Sequence, residues 1–168
     1  DTCSNKNGVG IFINNTFEHT ILKIVRDDNG CFIIIDIEFL KKRFLLVNLY
    51  GPSDSDRPAF FENVFKEVNK LKTDHVIIGA GDLNCLMNPN FDSINYTGRD
   101  NRPKSREKIK ELMNQTELVD VWREIHVENP GYTWKKFKTT KRGRLDHFLI
   151  SEFFLTEIKK IDTSNNVG

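Results

Sequence analysis

Asp82 and Asn84 have the residue types and spacing to take part in phosphate chemistry. They occur in the sequence GDLN, directly after the apolar segment VIIGA. Side chains two residues apart on an extended segment point to the same side. A carboxylate can accept a proton from water or bind a hard cation, and a carboxamide can donate to a phosphate oxygen or coordinate through its carbonyl. Gly, Asp and Asn also form ordinary tight turns, so the motif alone is compatible with a simple turn.

Tyr50 and Asp146 are two further candidates at the ends of apolar segments. Tyr50 precedes a Gly-Pro turn in NLYGP, where its hydroxyl could donate to a phosphate, although an ordinary strand-end tyrosine explains it equally. Asp146 lies among apolar residues in RLDHFLI, where a buried acid is costly unless it is paired. One role for such an acid is to hold a histidine in the correct tautomer and orientation.

The histidine that Asp146 would orient is not identified by the sequence. His147 is a poor candidate, because neighbours on a strand point to opposite faces. None of the four histidines lies in a motif that recommends it for catalysis, and each is predicted to be a surface or core residue. They are His19, His75, His126 and His147.

A basic segment, residues 135–144, interrupts an otherwise mildly acidic chain. It holds six cations and no acid, whereas the whole chain has a net charge of +1, which leaves the remaining residues at −5. Such a local positive ridge predicts a docking surface for a polyanion, the alternative being a solvated hairpin tip. Trp134 and Phe137 could contact bases or sugars there, with core packing favoured for Trp134. The six cations are Lys135, Lys136, Lys138, Lys141, Arg142 and Arg144.

The elements that must position these residues are mainly strands in the first half. Residues 8–13 (GVGIFI), 31–39 and 41–50 are apolar and β-rich, and the last two, separated by a polar break, predict an antiparallel hairpin. Their continuous apolar runs indicate burial on both faces of a sheet. HVIIGAGDLN predicts a further strand, and TWKKFK and GRLDHFLI predict two strands around the basic turn.

Two helices are predicted outside the sheet. Residues 56–72 have apolar side chains at positions 61, 64, 65, 68 and 71, which is a helical spacing, and Pro58 suits the first turn. The second helix is predicted over residues 105–122, with Ser105 as its N-cap. Strands covered by two helices predict an α+β fold formed by one domain, residues 1–168.

Composition excludes several classes of protein. Hydrophobic residues make up 38% and charged residues 29% of the 168 residues, which is an ordinary globular composition. No apolar run reaches the roughly 18 residues of a membrane span, and the first residues do not resemble a signal peptide, so an intracellular location is expected. Cys3, Cys31 and Cys85 lack CxxC spacing, which favours buried or idle thiols over a zinc site or a disulfide framework.

Taken together, the segments resemble the endonuclease/exonuclease/phosphatase superfamily. The matching pieces, in order, are GVGIFI, NLYGP, the helix FFENVFKEVNKL, HVIIGAGDLN, the helix ending LVDVWRE, YTW and RLDHFLIS. Their combination is most similar to the endonuclease domain of LINE-type (non-LTR) retrotransposons. The resemblance implies a four-layered α/β/β/α sandwich of the deoxyribonuclease-like type.

The resemblance also implies roles for individual residues. Asp82 resembles the residue that activates or orients the attacking water, and Asn84 its partner on the phosphate and the metal. Tyr50 resembles the tyrosine that contacts the scissile phosphate, and Asp146 the acid that orients the catalytic histidine. The implied cofactor is Mg²⁺ or Mn²⁺, held by Asp82 and Asn84, and the implied partner of the basic segment is DNA.

The chain also departs from the family pattern. An Asn and a metal-binding Glu are expected before GVGIFI, and a Ser-Asp-His strand with the catalytic histidine is expected after IDTSNNVG. Ser53 also stands where many members have Asn. We therefore expect a domain that is incomplete at both termini and inactive by itself.

The resemblance predicts a Mg²⁺-dependent endonuclease that nicks DNA, located in the nucleus, with a reverse transcriptase in the full-length protein. Two alternatives remain open at this stage. One is a phosphoesterase acting on a phosphoinositide or another small phosphoester. The other is a non-catalytic nucleic-acid-binding remnant.

Overall fold

The computed structural model describes residues 8–96 and 102–158, and its main feature is a mixed sheet of six strands. The strands follow the order β1-β2-β3-β4-β9-β6. They are β1 Thr20–Arg26, β2 Phe32–Phe39, β3 Lys42–Tyr50, β4 His75–Asp82, β9 Asp146–Ser151 and β6 Leu118–Asp120. The helices are α1 Pro58–Leu71, α2 Pro103–Thr116, α3 Val121–Ile125 and a 3₁₀ helix Glu152–Glu157. The α+β class predicted from the sequence is confirmed.

The centre of the sheet is formed by the apolar runs that predicted it. β2 and β3 pair antiparallel, so the predicted hairpin is confirmed. β3 and β4 pair in parallel, connected by α1, and β4 pairs antiparallel with β9. Side chains alternate between the faces: Leu45 and Val47 pack towards the helices, and Phe44 packs on the other face.

Helix α1 covers one face of the sheet, as its residue spacing predicts. Phe61, Val64, Phe65 and Val68 are buried against apolar side chains of β2 and β3. The helix begins at Pro58, where a missing N–H costs nothing because first-turn donors have no partner within the helix. Helix α2 packs beside α1 and adds Ile109 and Leu112 to the same core.

The prediction for the second helix is wrong at both ends. Helix α2 begins at Pro103, and Ser105 is a buried residue in its first turn instead of the N-cap. The helix ends at Thr116 because Glu117 adopts a left-handed conformation, with φ of 55°. The apolar residues that follow form the edge strand β6 and the separate helix α3, so apolar spacing alone extended the helix too far.

Two predictions for the first 31 residues are also wrong. Residues 8–13 do not form a strand: Val9 N–H donates to the Gly30 carbonyl, but the described residues offer them no continuous ladder. The strand β1, which lies at the edge of the sheet, has no prominent alternation and was not predicted. Cys31, expected to be a thiol, is disulfide-bonded, whereas Cys85 is a buried free cysteine as expected.

The basic segment forms part of a second, smaller sheet. Its strands are β5 Ser93–Ile94, β8 Arg142–Gly143 and β7 Trp134–Lys135, paired in the order β5-β8-β7. The strand pair predicted around the basic turn is therefore β7 and β8, and β9 is a separate strand of the large sheet. None of the helices in the described ranges has the length and apolar character of a membrane span.

Candidate active site

Three of the four candidate catalytic residues lie in one row across the large sheet. Tyr50 is the Cα partner of Asp82 in the parallel pair β3–β4. Asp82 is in turn the partner of Asp146 in the antiparallel pair β4–β9. Directly paired residues on adjacent strands project from the same face. The row therefore brings a phenol and two carboxylates together at one end of the sheet.

Asn84, the fourth candidate, is fixed beside this row by a tight turn. Its backbone N–H donates to Asp82 Oδ1 at 2.7 Å, and its φ of 48° lies in the left-handed region that Asn tolerates. Its Nδ2 donates to the Gly51 carbonyl at 2.9 Å, next to Tyr50. This bond leaves Asn84 Oδ1 and the second N–H of the amide to act on a ligand.

The glycine of GDLN is required by close packing of the backbone. Gly81 has a φ of 146°, and a Cβ built there would lie 1.9 Å from the Leu49 carbonyl oxygen. Any side chain would push β4 away from β3. The glycine thus keeps Asp82 at the correct distance from Tyr50, which is a structural reason for a motif that also looks like a simple turn.

Two residues that the sequence did not single out hold the loops around Asn84. The guanidinium of Arg102 donates to the carbonyl oxygens of Asn84 and Ser53. Asp56, from the loop between β3 and α1, accepts the N–H of Lys104 at 3.0 Å and of Ser105 at 2.8 Å. Asp56 therefore caps helix α2 from another element, a contact that a local capping pattern cannot reveal.

The electrostatics of the row are unfavourable for two ionised acids. Burial raises the pKa of Asp82 to about 6, and the negative charge of Asp146 raises it further, against the hydrogen bond from the Asn84 N–H. Two neighbouring carboxylates disfavour ionisation of one another. Such a shift is typical of carboxylates that act on a proton or a cation.

Asp146 is exposed, so the expectation that it is a buried acid in need of a partner is wrong. It is the first residue of β9, and its N–H and that of Leu145 both donate to Thr133 Oγ1 at 3.1 Å. Thr133 therefore fixes the start of the strand that carries Asp146. His147 lines the cavity under α1 on the other face of the sheet, so the prediction that it does not pair with Asp146 is confirmed.

A buried cluster of charges lies behind the row. His147 Nδ1 is 3.1 Å from Asp120 Oδ2, and Arg144 Nη1 is 2.8 Å from the same oxygen. Arg144 Nε and Arg123 Nη2 lie 3.2 and 2.6 Å from Asp92 Oδ1. Although burial opposes ionisation, the hydrogen bond from His147 and the charge of Arg144 lower the pKa of Asp120 to about 2.

This cluster changes the interpretation of Arg144. The side chain is 2% exposed and is committed to Asp92 and Asp120, so it is not accessible to a phosphate on the surface. We therefore exclude Arg144 from the candidate DNA-binding surface. Of the other five cations, Lys141 is partly buried and four are exposed: Lys135, Lys136, Lys138 and Arg142.

An open cavity of about 500 Å³ connects Asn84 to the basic hairpin. Lys136 and Lys141 line it together with Trp134. Tyr96 packs against Trp134 with ring centroids 5.9 Å apart, and the Lys141 ammonium lies 4.2 Å from the centroid of the Tyr96 ring. Trp134 is therefore a half-buried wall of this cavity and not a residue of the main core.

Comparisons with known proteins give the family. A model of the Endonuclease/Exonuclease/phosphatase family matches residues 3–161. This chain belongs to the endonuclease/exonuclease/phosphatase family. One relative is the Transposon TX1 uncharacterized 149 kDa protein of Xenopus laevis, which is 24% identical over 152 residues. That match covers 89% of this chain and 11% of the transposon protein.

A solved structure supports the same fold. The crystal structure of AP endonuclease LMAP from Leishmania major matches with a TM-score of 0.64 at 21% identity. The match covers 77% of this chain and 48% of LMAP, so the chain spans about half the length of that enzyme. The predicted layered α+β fold of the deoxyribonuclease-like type is therefore confirmed.

The carboxylates of the row fit a divalent cation of the kind that this family uses. No group of three or more His, Cys, Asp or Glu side chains that could hold a metal occurs within residues 8–96 and 102–158. Mg²⁺, however, is commonly held by one or two carboxylates together with water and substrate phosphates. Asp82 and Asp146 supply that number, and the raised pKa of Asp82 marks a local excess of negative charge that a cation would relieve.

Proposed function

We propose that this domain hydrolyses phosphodiester bonds of DNA with a divalent metal ion and makes single-strand nicks, as the endonuclease of a non-LTR retrotransposon. The observation that supports this most strongly is the row of Tyr50, Asp82 and Asp146. The row lies beside Asn84, which borders the cavity leading to the basic hairpin. Acidic groups for the chemistry and cations for the substrate thus lie on connected surfaces.

Each residue of the site has a distinct proposed role. Asp82, with its raised pKa, accepts a proton from the attacking water or orients it, and Asn84 holds the turn and contacts the phosphate. Tyr50 donates its hydroxyl to a phosphate oxygen, and Asp146 orients the histidine that serves catalysis. A bound Mg²⁺ or Mn²⁺ held by Asp82 and Asn84 supplies charge stabilisation on the non-bridging and leaving oxygens.

The five accessible cations of the hairpin are proposed to bind the DNA backbone. Four are exposed, and Lys141 lies at the cavity itself. Each phosphate that they neutralise releases counterions, so affinity should fall steeply with salt. The proposed partner is therefore DNA, the proposed location is the nucleus, and a reverse transcriptase is the proposed neighbour in the full-length protein, by similarity to the transposon relative.

A small phosphoester is the second candidate substrate, and the cavity favours it. Its volume of about 500 Å³ lies within the usual range for small-molecule pockets, and Lys136 and Lys141 would neutralise a phosphate in it. Hydrolysis of such a phosphoester without binding of duplex DNA at low salt would favour this substrate.

Nicking of supercoiled plasmid in the presence of Mg²⁺ tests the proposal. Our function predicts nicked circles that disappear with EDTA and with Asp82→Ala, whereas Asp28→Ala, at an exposed turn, serves as the matched control. Equal nicking by Asp82→Ala would contradict the site. The same assay tests our expectation that these 168 residues alone are inactive: DNA binding without any nicking would then leave binding as their only function.

A further inference from the structure

Phe137 lies at the tip of the basic hairpin and is 82% exposed. The backbone around it is fixed, because Lys136 N–H donates to the Lys141 carbonyl at 3.0 Å and Thr139 N–H donates to the Lys136 carbonyl at 3.2 Å. The Asn95 side chain also donates to Thr140 Oγ1 at 2.6 Å, which connects the tip to the loop beside β5. A phenyl ring is thus presented to solvent by a hydrogen-bonded arm.

The surroundings of this ring are cationic. The Lys138 ammonium is 5.4 Å from the ring centroid, and Lys135, Lys136 and Arg142 are exposed on the same hairpin. The buried centre of a protein–protein interface is depleted in lysine, so this tip is a poor patch for another protein. Aromatic side chains interleaved with cations instead match nucleic acid, which offers phosphates and flat bases together.

The hairpin also points from the tip to the proposed active site. Its first strand contains Trp134, and its turn carries Lys136 and Lys141, all of which line the cavity that Asn84 borders. A DNA segment held at the tip would therefore pass the catalytic row. This geometry assigns a function to the exposed ring that charge neutralisation alone does not supply.

We propose that Phe137 inserts between adjacent bases of the DNA bound on the hairpin and unstacks that step next to the nick site. The proposal rests on the proposed endonuclease function. Apolar wedges inserted between base steps kink duplexes and open the stack, and flexible pyrimidine–purine steps yield most easily. Phe137 would then favour cleavage near such steps, as a specificity-determining residue that makes no hydrogen bond to a base.

The wedge predicts a specific change in DNA binding. Stacking of a base on an aromatic ring contributes about 1–3 kcal/mol, so Phe137→Ala should bind duplex DNA about tenfold more weakly. The measurement uses the 168-residue chain, with EDTA to prevent cleavage, and a duplex containing 2-aminopurine at a TA step. Wild type should raise the 2-aminopurine fluorescence by unstacking, Phe137→Ala should not, and Phe137→Trp should retain the rise.

Two controls separate the wedge from general effects. Phe153 is 66% exposed and borders a cavity with Lys41 and Lys42 outside the hairpin, so Phe153→Ala should leave DNA affinity and fluorescence unchanged. Lys138→Ala should reduce the slope of log affinity against log salt by about one, because it removes a phosphate contact. Phe137→Ala should leave that slope unchanged, because it removes no charge.

The outcomes distinguish the wedge from the proposed function. If wild type binds DNA but Phe137→Ala gives the same affinity and the same fluorescence rise, the wedge is overturned and the endonuclease proposal stands. A reduced salt slope in Phe137→Ala, without rescue by Phe137→Trp, would also overturn the wedge, because it would show that the hairpin has lost its structure. If wild type does not bind duplex DNA even at low salt, both proposals fail.

Discussion

Two aspartates at the ends of neighbouring strands have opposite electrostatic environments. Asp120, at the end of β6, has its pKa lowered to about 2 despite burial, because His147 and Arg144 hydrogen-bond to it. Asp82, at the end of β4, has its pKa raised to about 6 by burial and by Asp146. Both strands pair with β9, whose first two residues, Asp146 and His147, project from opposite faces.

The difference separates stabilising charges from charges kept for function. On the helix side of β9 every buried acid is paired with a cation, as packing requires. On the other side two acids stand next to one another, and the cost is sustained by the surrounding fold. Unfavourable pairs of this kind are what distinguish sites that bind a cation or transfer a proton.

The largest effect is expected on the compensated side, at Asp92. This fully buried carboxylate accepts from Arg144 and Arg123 and also from the Asn88 N–H at 2.8 Å. Asp92→Ala leaves Arg144 without its partner in the interior. Removing one partner of a buried ion pair costs about 3–5 kcal/mol, so the urea midpoint should fall sharply.

The exposed Asp28→Ala is the control for this experiment, and it should leave the midpoint within error. An Asp92→Ala variant as stable as Asp28→Ala would show that the buried cluster is not the stabilising region that the comparison requires.

Acid titration should reveal the next largest effect, at Asp120. Its folded-state pKa of about 2 lies below the model value of 3.8, so its contribution to stability is complete above pH 4 and is lost as pH falls through about 2. A shift of this size corresponds to about 2 kcal/mol. Stability measured from pH 5 to pH 2 should fall less steeply in Asp120→Asn than in wild type. Parallel curves for the two proteins would contradict this assignment.

Asp82→Asn should have the smallest and opposite effect on stability. The raised pKa of Asp82 means that its cost is absent below about pH 4 and is complete above about pH 6. Asn keeps the acceptor for the Asn84 N–H, so the variant should be more stable than wild type at pH 7.5 by about 1 kcal/mol after discounting for solvent screening. The gain should vanish at pH 4, and nicking should be lost. A variant that is less stable at pH 7.5 would contradict the account.

The sequence predicted the centre of the sheet and the first helix because burial leaves a local pattern. Apolar runs defined β2, β3 and β4, and the spacing from Phe61 to Leu71 defined α1. Pattern failed where a single residue decided the structure. The left-handed Glu117 ends α2, and residues 118–122 continue the apolar spacing although they form β6 and the start of α3.

The candidate site was predicted in part, for a similar reason. Tyr50, Asp82 and Asn84 lie at the ends of recognisable strands, where local sequence reveals them. Contacts between distant segments were invisible, including Asp56 on helix α2 and Arg102 on the loops. Arg144 was misassigned because charge density is a property of sequence, whereas its two acidic partners come from elsewhere in the chain.

Paramagnetic broadening by Mn²⁺ in amide NMR spectra would test the central claim, that the row of Tyr50, Asp82 and Asp146 is a divalent-metal site. The account predicts that low Mn²⁺ concentrations broaden the signals around Asp82 and Asp146 first, that Asp82→Asn removes this broadening, and that Asp28→Asn does not. Broadening that is centred on other acids, or that is unchanged in Asp82→Asn, would contradict the account.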